Sequence, residues 1–207
     1  MIDSSGKLRR AIRALAKQDE TMAAALEQVG FPEPRDREAG FATLLRVIVC
    51  QQVSNEAGAA IWRKLEGRLK DVTAQKVARV RETTLRECGL SRPKVRYARA
   101  LAHAVTKDGL DIDALADASD DAVRERLTAI TGIGSWTAEI YLMFALGRPD
   151  IMPGGDLALQ VAAGRMLGLS HRPTANELVA LAERWKPHRT AAAVMLWHYY
   201  RRAPLID

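Results

Sequence analysis

Apolar residues recur at helical spacing along almost the whole of this 207-residue chain, and no strand-period run of usable length interrupts them. Leu8, Ile12, Leu15 and Ala16 form one apolar stripe, and Ile61, Trp62 and Leu65 another. VIVC has the composition of a short strand, but its flanks in FATLLRVIVCQQVS extend it at helical spacing. The pattern predicts an all-α fold of about ten helices. The punctuation fits that reading. FPEP breaks the chain after the first stripe, and Gly67 is the expected stop of the helix carrying Trp62. Short helical pieces are expected over 73–80 and 84–88, then Gly89 at a helix C-cap position and a helix over 94–105. Residues 111–116 and 120–127 read as short helices with Asp N-caps, and the last two helices as 176–185 and 189–201.

Hydrophobic residues make up 48% and charged residues 27%, which suits a folded chain rather than a disordered one. The length is enough for one large domain or two small units sharing a core. A net charge of +6 is compatible with a polyanionic partner, nucleic acid being the commonest, and equally with a merely basic protein. The two cysteines are too few for a disulfide scaffold or for an iron–sulfur cluster, which needs about four ligands. Cys50 reads as a small buried hydrophobe in an apolar run, and the four histidines show no metal-ligand spacing. MIDSSGKLRR lacks the apolar core of a signal peptide, and no stretch approaches the ~18 apolar residues of a membrane span. The expectation is a soluble cytoplasmic protein with no membrane association.

The most informative local feature is LTAITGIGSWTAEIYLMFAL. A helix ends before Ile130, Gly132 and Gly134 turn the chain, and Ser135 stands where it can cap a new helix running to about residue 146, closed by Gly147. The unpaired N–H groups at that helix start, with its dipole, can hold a phosphate. On its own the segment is also a plain turn between two helices. RPDIMPGG follows as a loop, and Asp156 opens the next helix, near Gly168 at its end. An aspartate there is an N-cap by local sequence, and a carboxylate available for chemistry if its surroundings demand one.

Together, L-x-x-I-x-G-I-G-x-W-T-A, the Gly/Pro loop and Asp156 in PGGDLAL resemble the HhH-GPD superfamily of base-excision DNA glycosylases. Members that also cut the strand carry a lysine where this chain has Trp136, so the resemblance implies a monofunctional enzyme in which water is the nucleophile. VCQQVS, with Cys50 in place of a glycine, GLSRPKVRYARALA, and AERWKPHRTAAAVMLW, with Trp185, Pro187, Arg189 and Trp197, are similar to segments of the 3-methyladenine DNA glycosylase II branch. The match runs over 41–200 and leaves no room for the β-rich N-terminal domain of some relatives. It implies a single unit built of two helical subdomains with the active-site cleft between them. One subdomain is 41–147, ending in the helix-hairpin-helix at about 123–147; the other is 1–40 plus 148–207.

Site roles follow from the same resemblance. Asp156 is the catalytic carboxylate, stabilising positive charge on the sugar and orienting or deprotonating water. Trp136 and Trp197 are aromatic walls for a cationic base, or else ordinary core. Ile140 stands where some relatives place a tyrosine, which makes the pocket less aromatic. Gln52 is the wedge that fills the hole left by the flipped base, or a buried capping amide. Gly132, Gly134, Ser135 and Thr137 bind DNA phosphate, with Arg148, Arg92 and Lys94 as further phosphate contacts or simply solvated charges. The carbonyls of Thr128, Ile130 and Ile133 hold a monovalent cation, Na+ or K+; no cofactor is required and no iron–sulfur cluster is expected. The implied partner is double-stranded DNA containing damaged bases, met by a monomer. Two other readings remain: a non-catalytic helix-hairpin-helix DNA-binding module, and a glycosylase for deaminated or oxidised bases.

Overall fold

Every regular element in the computed structural model, which describes residues 4–34 and 37–203, is helical. In chain order the α-helices are α1 (Ser4–Gln18), α2 (Glu20–Val29), α3 (Phe41–Cys50), α4 (Asn55–Leu69), α5 (Ala74–Arg79), α6 (Glu82–Glu87), α7 (Arg92–Thr106), α8 (Asp120–Thr128), α9 (Ser135–Phe144), α10 (Leu157–Met166), α11 (Ala175–Leu181) and α12 (Arg189–Arg202). Single 3-10 turns occupy Asp113–Ala116 and Ala182–Trp185. The apolar VIVC run lies inside α3. No helix among the described residues is long and apolar enough to cross a membrane.

The helix boundaries have local causes. Ser54, Thr73, Ser91, Ser119 and Thr174 each accept a backbone N–H at the start of their helices. Ser119, not an aspartate, therefore caps α8, while Asp111 does accept the Asp113 and Ala114 amides ahead of the 3-10 turn. Gly67 does not stop α4. Its Cβ position is open, the helix tolerates it, and the chain turns three residues later at Lys70, whose φ is +64°. Gly89 does sit in the left-handed region, at φ +103°.

The chain divides into two compact units, Met1–Asp36 with Gly147–Asp207, and Arg37–Leu146. In the first, α1 packs on α2 and α12, and α10 on α12. Trp185 is fully buried there, its indole N–H donating to Asp19 at 3.0 Å. Asp19 also caps α2 and pairs with Arg184 at 2.7 Å. Burial alone would raise its pKa, but these bonds outweigh that and hold the carboxyl below its ordinary value. In the second unit α3 is central, against α4, α7 and α9, with α5 on α7 and α8 on α9. Leu44, Leu45, Ile48, Leu65, Leu85, Leu101 and Leu127 are fully buried, as the helical stripes require.

Candidate active site and nucleic-acid interface

The glycine turn joins α8 to α9. Ile130 and Ile133 are buried and anchor it, with the Ile133 N–H bonded to the Ile130 carbonyl at 3.0 Å. The two glycines have different causes. Gly132 has φ +93°, and a Cβ there would lie 2.1 Å from Cγ of Tyr97, so the ring of α7 packs directly on its backbone. Gly134 has φ −93°, and a Cβ there would meet nothing within 4 Å. Among the described residues, no contact requires glycine at 134.

Gly134 is itself the N-cap of α9 and makes no side-chain cap bond; Ser135 is the first helical residue and is exposed, which corrects its expected capping role. The first amides of α9 thus start from a residue with no side chain, a ready site for an anion. Thr137 presents its backbone rather than its side chain. It is 2% exposed, and its hydroxyl accepts the Gln51 amide at 2.9 Å, so only its backbone N–H is available to a phosphate. Thr128 is exposed and donates its hydroxyl to the Arg124 carbonyl at 2.8 Å. Trp136 is half-buried at the second position of α9, and Ile140, one turn on, is buried.

Gln52 lies in the turn between α3 and α4, exposed, with φ +52°. The buried capping amide is therefore excluded: the cap of α3 is Gln51. Cys50 is half-buried rather than buried, and α4 comes so close that a Cβ on Gly58 would meet its Sγ at 2.8 Å. Lys94 is not a phosphate ligand. It is buried, its ammonium donates to the Val49 carbonyl at 2.8 Å, and burial lowers its pKa, with the Cys50 thiol opposing. Arg92 is exposed at the start of α7, and Arg148 is half-buried.

Asp156 is the N-cap of α10, and its Oδ1 accepts the Leu159 N–H at 3.0 Å. The same oxygen accepts the indole N–H of Trp197 from α12 at 3.2 Å. Asp156 is thus an N-cap, and Trp197 meets its carboxylate through the indole N–H. The loop before Asp156 is fixed. Arg189 at the start of α12 grips the Asp150 carboxylate at 2.9 and 3.0 Å, and Thr190 bonds the Arg148 carbonyl at 2.7 Å. Burial alone would raise the pKa of Asp150, but the Arg189 bonds and charge hold it below the ordinary value. The Gln160 amide donates to the Gly154 carbonyl at 2.8 Å, and a Cβ on Gly154 would strike the Ala175 carbonyl at 2.7 Å. A carboxylate on so rigid a mount can face developing positive charge without reorganising.

Glu139 on α9 is half-buried, and burial raises its pKa to about 7, with Arg124 opposing. The folded state therefore keeps a proton that the unfolded chain releases from about 4.5 upward. Its contribution to stability falls as pH rises through that window and is flat above it. Glu139→Gln is expected to raise the thermal midpoint at pH 8 and to leave it nearly unchanged at pH 4, checked by melting curves across pH.

Among the described residues, no group of three or more His, Cys, Asp or Glu side chains is placed to hold a metal ion. One unit carries a carboxylate at the start of α10, and the other a bare glycine at the start of α9. Residues 45–188 match the HhH-GPD superfamily base excision DNA repair proteins. The alkylbase DNA glycosidase-like protein mag2 of Schizosaccharomyces pombe is 31% identical over 196 residues, spanning 91% of this chain and 92% of that protein. The solved 3-methyladenine DNA glycosylase Mag1 of the same yeast, in complex with abasic DNA, superposes with a TM-score of 0.85 at 29% identity, covering 96% of this chain and all of that one. A DNA-3-methyladenine glycosidase from Bacillus halodurans gives a TM-score of 0.79 at 32% identity, over 92% of this chain and 88% of its own. With the hairpin, the Gly/Pro loop and Asp156 all inside the matched region, the chain belongs to the HhH-GPD superfamily of base excision DNA repair proteins.

Proposed function

We propose that this protein is a monofunctional DNA glycosylase that hydrolyses the N-glycosidic bond of alkylated purines of the 3-methyladenine type after flipping them from the duplex. The observation that carries the chemistry is the Asp156 carboxylate, mounted on α10 with Oδ1 held by the Leu159 and Trp197 N–H groups. The family match and the relatives named above support the reaction class.

Alkylation at a ring nitrogen makes the purine cationic and a good leaving group. As the C1′–N bond breaks, its electron pair leaves with the base and positive charge builds on the sugar. Asp156 stabilises that charge and orients water, whose oxygen bonds to C1′ while its proton passes to the carboxylate or to solvent. Trp136 and Trp197 offer ring faces to the cationic base. Gln52, exposed in its turn, is the wedge that occupies the vacated position. The amides of α9 and Gly134 grip a DNA phosphate. A sodium or potassium ion on the carbonyls of Thr128, Ile130 and Ile133 belongs to the same proposal. The Ile130 carbonyl accepts one N–H at 3.0 Å and keeps a second lone pair for a hard cation, which would supply fixed positive charge towards a phosphate. The protein acts as a monomer on damaged duplex DNA.

Trp136 stands where strand-cutting members carry the lysine that forms a Schiff base, so water is the nucleophile. The experiment is borohydride treatment of a reaction on methylated duplex. Released base with no trapped protein–DNA adduct and an intact strand is expected; a trapped adduct would make the enzyme bifunctional.

Two substitutions probe the parts separately. Trp197→Phe keeps an aromatic ring and removes the N–H on Asp156. A bond to a charged group is worth ~1.5–3 kcal/mol, so single-turnover excision is expected to fall about 10- to 100-fold with DNA affinity unchanged. Gly134→Ala meets no clash and no strain. Its stability is expected to change by less than ~0.5 kcal/mol. Duplex affinity, read by fluorescence anisotropy, is expected to fall about tenfold because the methyl keeps a phosphate from the α9 amides.

A further inference from the structure

We infer that Gln51 is a positioning residue that ties the Gln52 turn to the glycine hairpin, so that seating the hairpin on a phosphate sets the depth of the wedge. The inference rests on the glycosylase reading and on Gln52 as the wedge.

A carboxamide NH2 has two donors, and Gln51 spends both on the hairpin: Nε2 lies 3.1 Å from the Gly132 carbonyl and 2.9 Å from Thr137 Oγ1. One acceptor precedes Gly134 and the other stands in the first turn of α9, so the amide spans the stretch that faces a phosphate. The same residue caps α3, its backbone N–H on the Ile48 carbonyl at 3.2 Å. A second anchor holds the turn from the other side. Lys94 of α7 is buried and donates to the Val49 carbonyl at 2.8 Å. One turn along α7, Tyr97 packs its ring root on Gly132. The end of α3, α7 and the hairpin therefore close into one bonded ring, and Gln52 projects from it with a left-handed φ of +52° that a non-glycine residue holds only when its neighbours are fixed.

The buried Thr137 gains its purpose here. Its hydroxyl is the hairpin's receptor for Gln51 and does not touch DNA. Phosphate contacts fix the protein's position on the duplex. A wedge acts only if its height above those contacts is fixed too. Without Gln51 the hairpin still grips the backbone, while the Gln52 turn is fastened on one side alone. The defect falls on flipping, whose cost depends on how well the lesion is paired and stacked.

The test uses the full chain and duplexes carrying one 7-methylguanine, opposite either cytosine or a tetrahydrofuran abasic analogue. Gln51→Met keeps the side-chain length and removes both donors. It is expected to lower single-turnover release about 10- to 100-fold opposite cytosine and less than about threefold opposite the abasic analogue, where flipping is cheap. Affinity for undamaged duplex is expected to stay within about twofold, since the phosphate contacts remain. Gln52→Ala should show the same pattern, and Gln51→Met added to it should cost nothing more, because the two act as one unit. An equal loss on both duplexes, no loss, or full additivity with Gln52→Ala overturns the inference, and the double-variant comparison decides the matter even where Gln51→Met lowers the melting temperature. If the wild type binds DNA yet releases 7-methylguanine from neither duplex and no other alkylated purine from methylated duplex DNA, the glycosylase reading itself fails, and the inference with it.

Discussion

Asp156→Asn is expected to lower base release from alkylated duplex by about 10²- to 10⁴-fold while leaving the fold intact. The substitution isolates charge. Asparagine is as good an N-cap as aspartate, and its carbonyl oxygen can accept the Leu159 and Trp197 N–H groups that Oδ1 accepts now. What disappears is the negative charge of the carboxylate. Asp156→Ala removes the cap as well, at a further cost of about 1 kcal/mol in stability. Single-turnover rates beside denaturation midpoints separate the two roles. An asparagine variant as fast as wild type would reduce Asp156 to a cap.

The largest expected effect on folding belongs to Gly132→Ala. Left-handed backbone at φ +93° disfavours any Cβ, by ~1–2 kcal/mol. The new methyl would also stand 2.1–2.5 Å from Cγ, Cδ1 and Cβ of Tyr97. Those atoms are the root of the ring, not a flexible end, so relief requires moving α7 or the hairpin, and overpacking of this kind costs ~1–3 kcal/mol. A total loss of about 2–5 kcal/mol by urea denaturation is expected. Tyr97→Ala in the same chain should recover the steric part and leave the backbone part. A Gly132→Ala protein with wild-type stability would contradict this packing. The contrast with Gly134→Ala is the point: Gly132 serves the fold, and the proposal assigns Gly134 to the contact with DNA.

Much of this was legible in the residues. Period gave the helices, and the hairpin, loop and Asp156 pattern gave the family, because each rests on local spacing. The N-terminal reach of α9 was misread because serine is the usual cap, whereas here a bare glycine takes that place. The burial of Lys94 and of the Thr137 side chain has a tertiary cause. A lysine at a helix start and a threonine after a glycine turn look solvent-facing locally. Only the packing of α3 against α7 and α9 buries them on Val49 and Gln51. Gln51 left no signal apart from standing beside Gln52, since its partners at Gly132 and Thr137 are distant in sequence. The indole N–H of Trp197 on Asp156 joins α12 to the start of α10, a pairing that periodicity does not encode.

The most direct measurement is chromatography of free bases released from methylated duplex DNA by the wild type and by Asp156→Asn, with the strand run alongside on a denaturing gel. Release of 3-methyladenine or another alkylated purine by the wild type, an intact strand until alkali is added, and almost no release by the variant is the expected result. Tight DNA binding without release of any alkylated purine would contradict it, and would leave the chain a helix-hairpin-helix module that holds DNA without cutting the glycosidic bond.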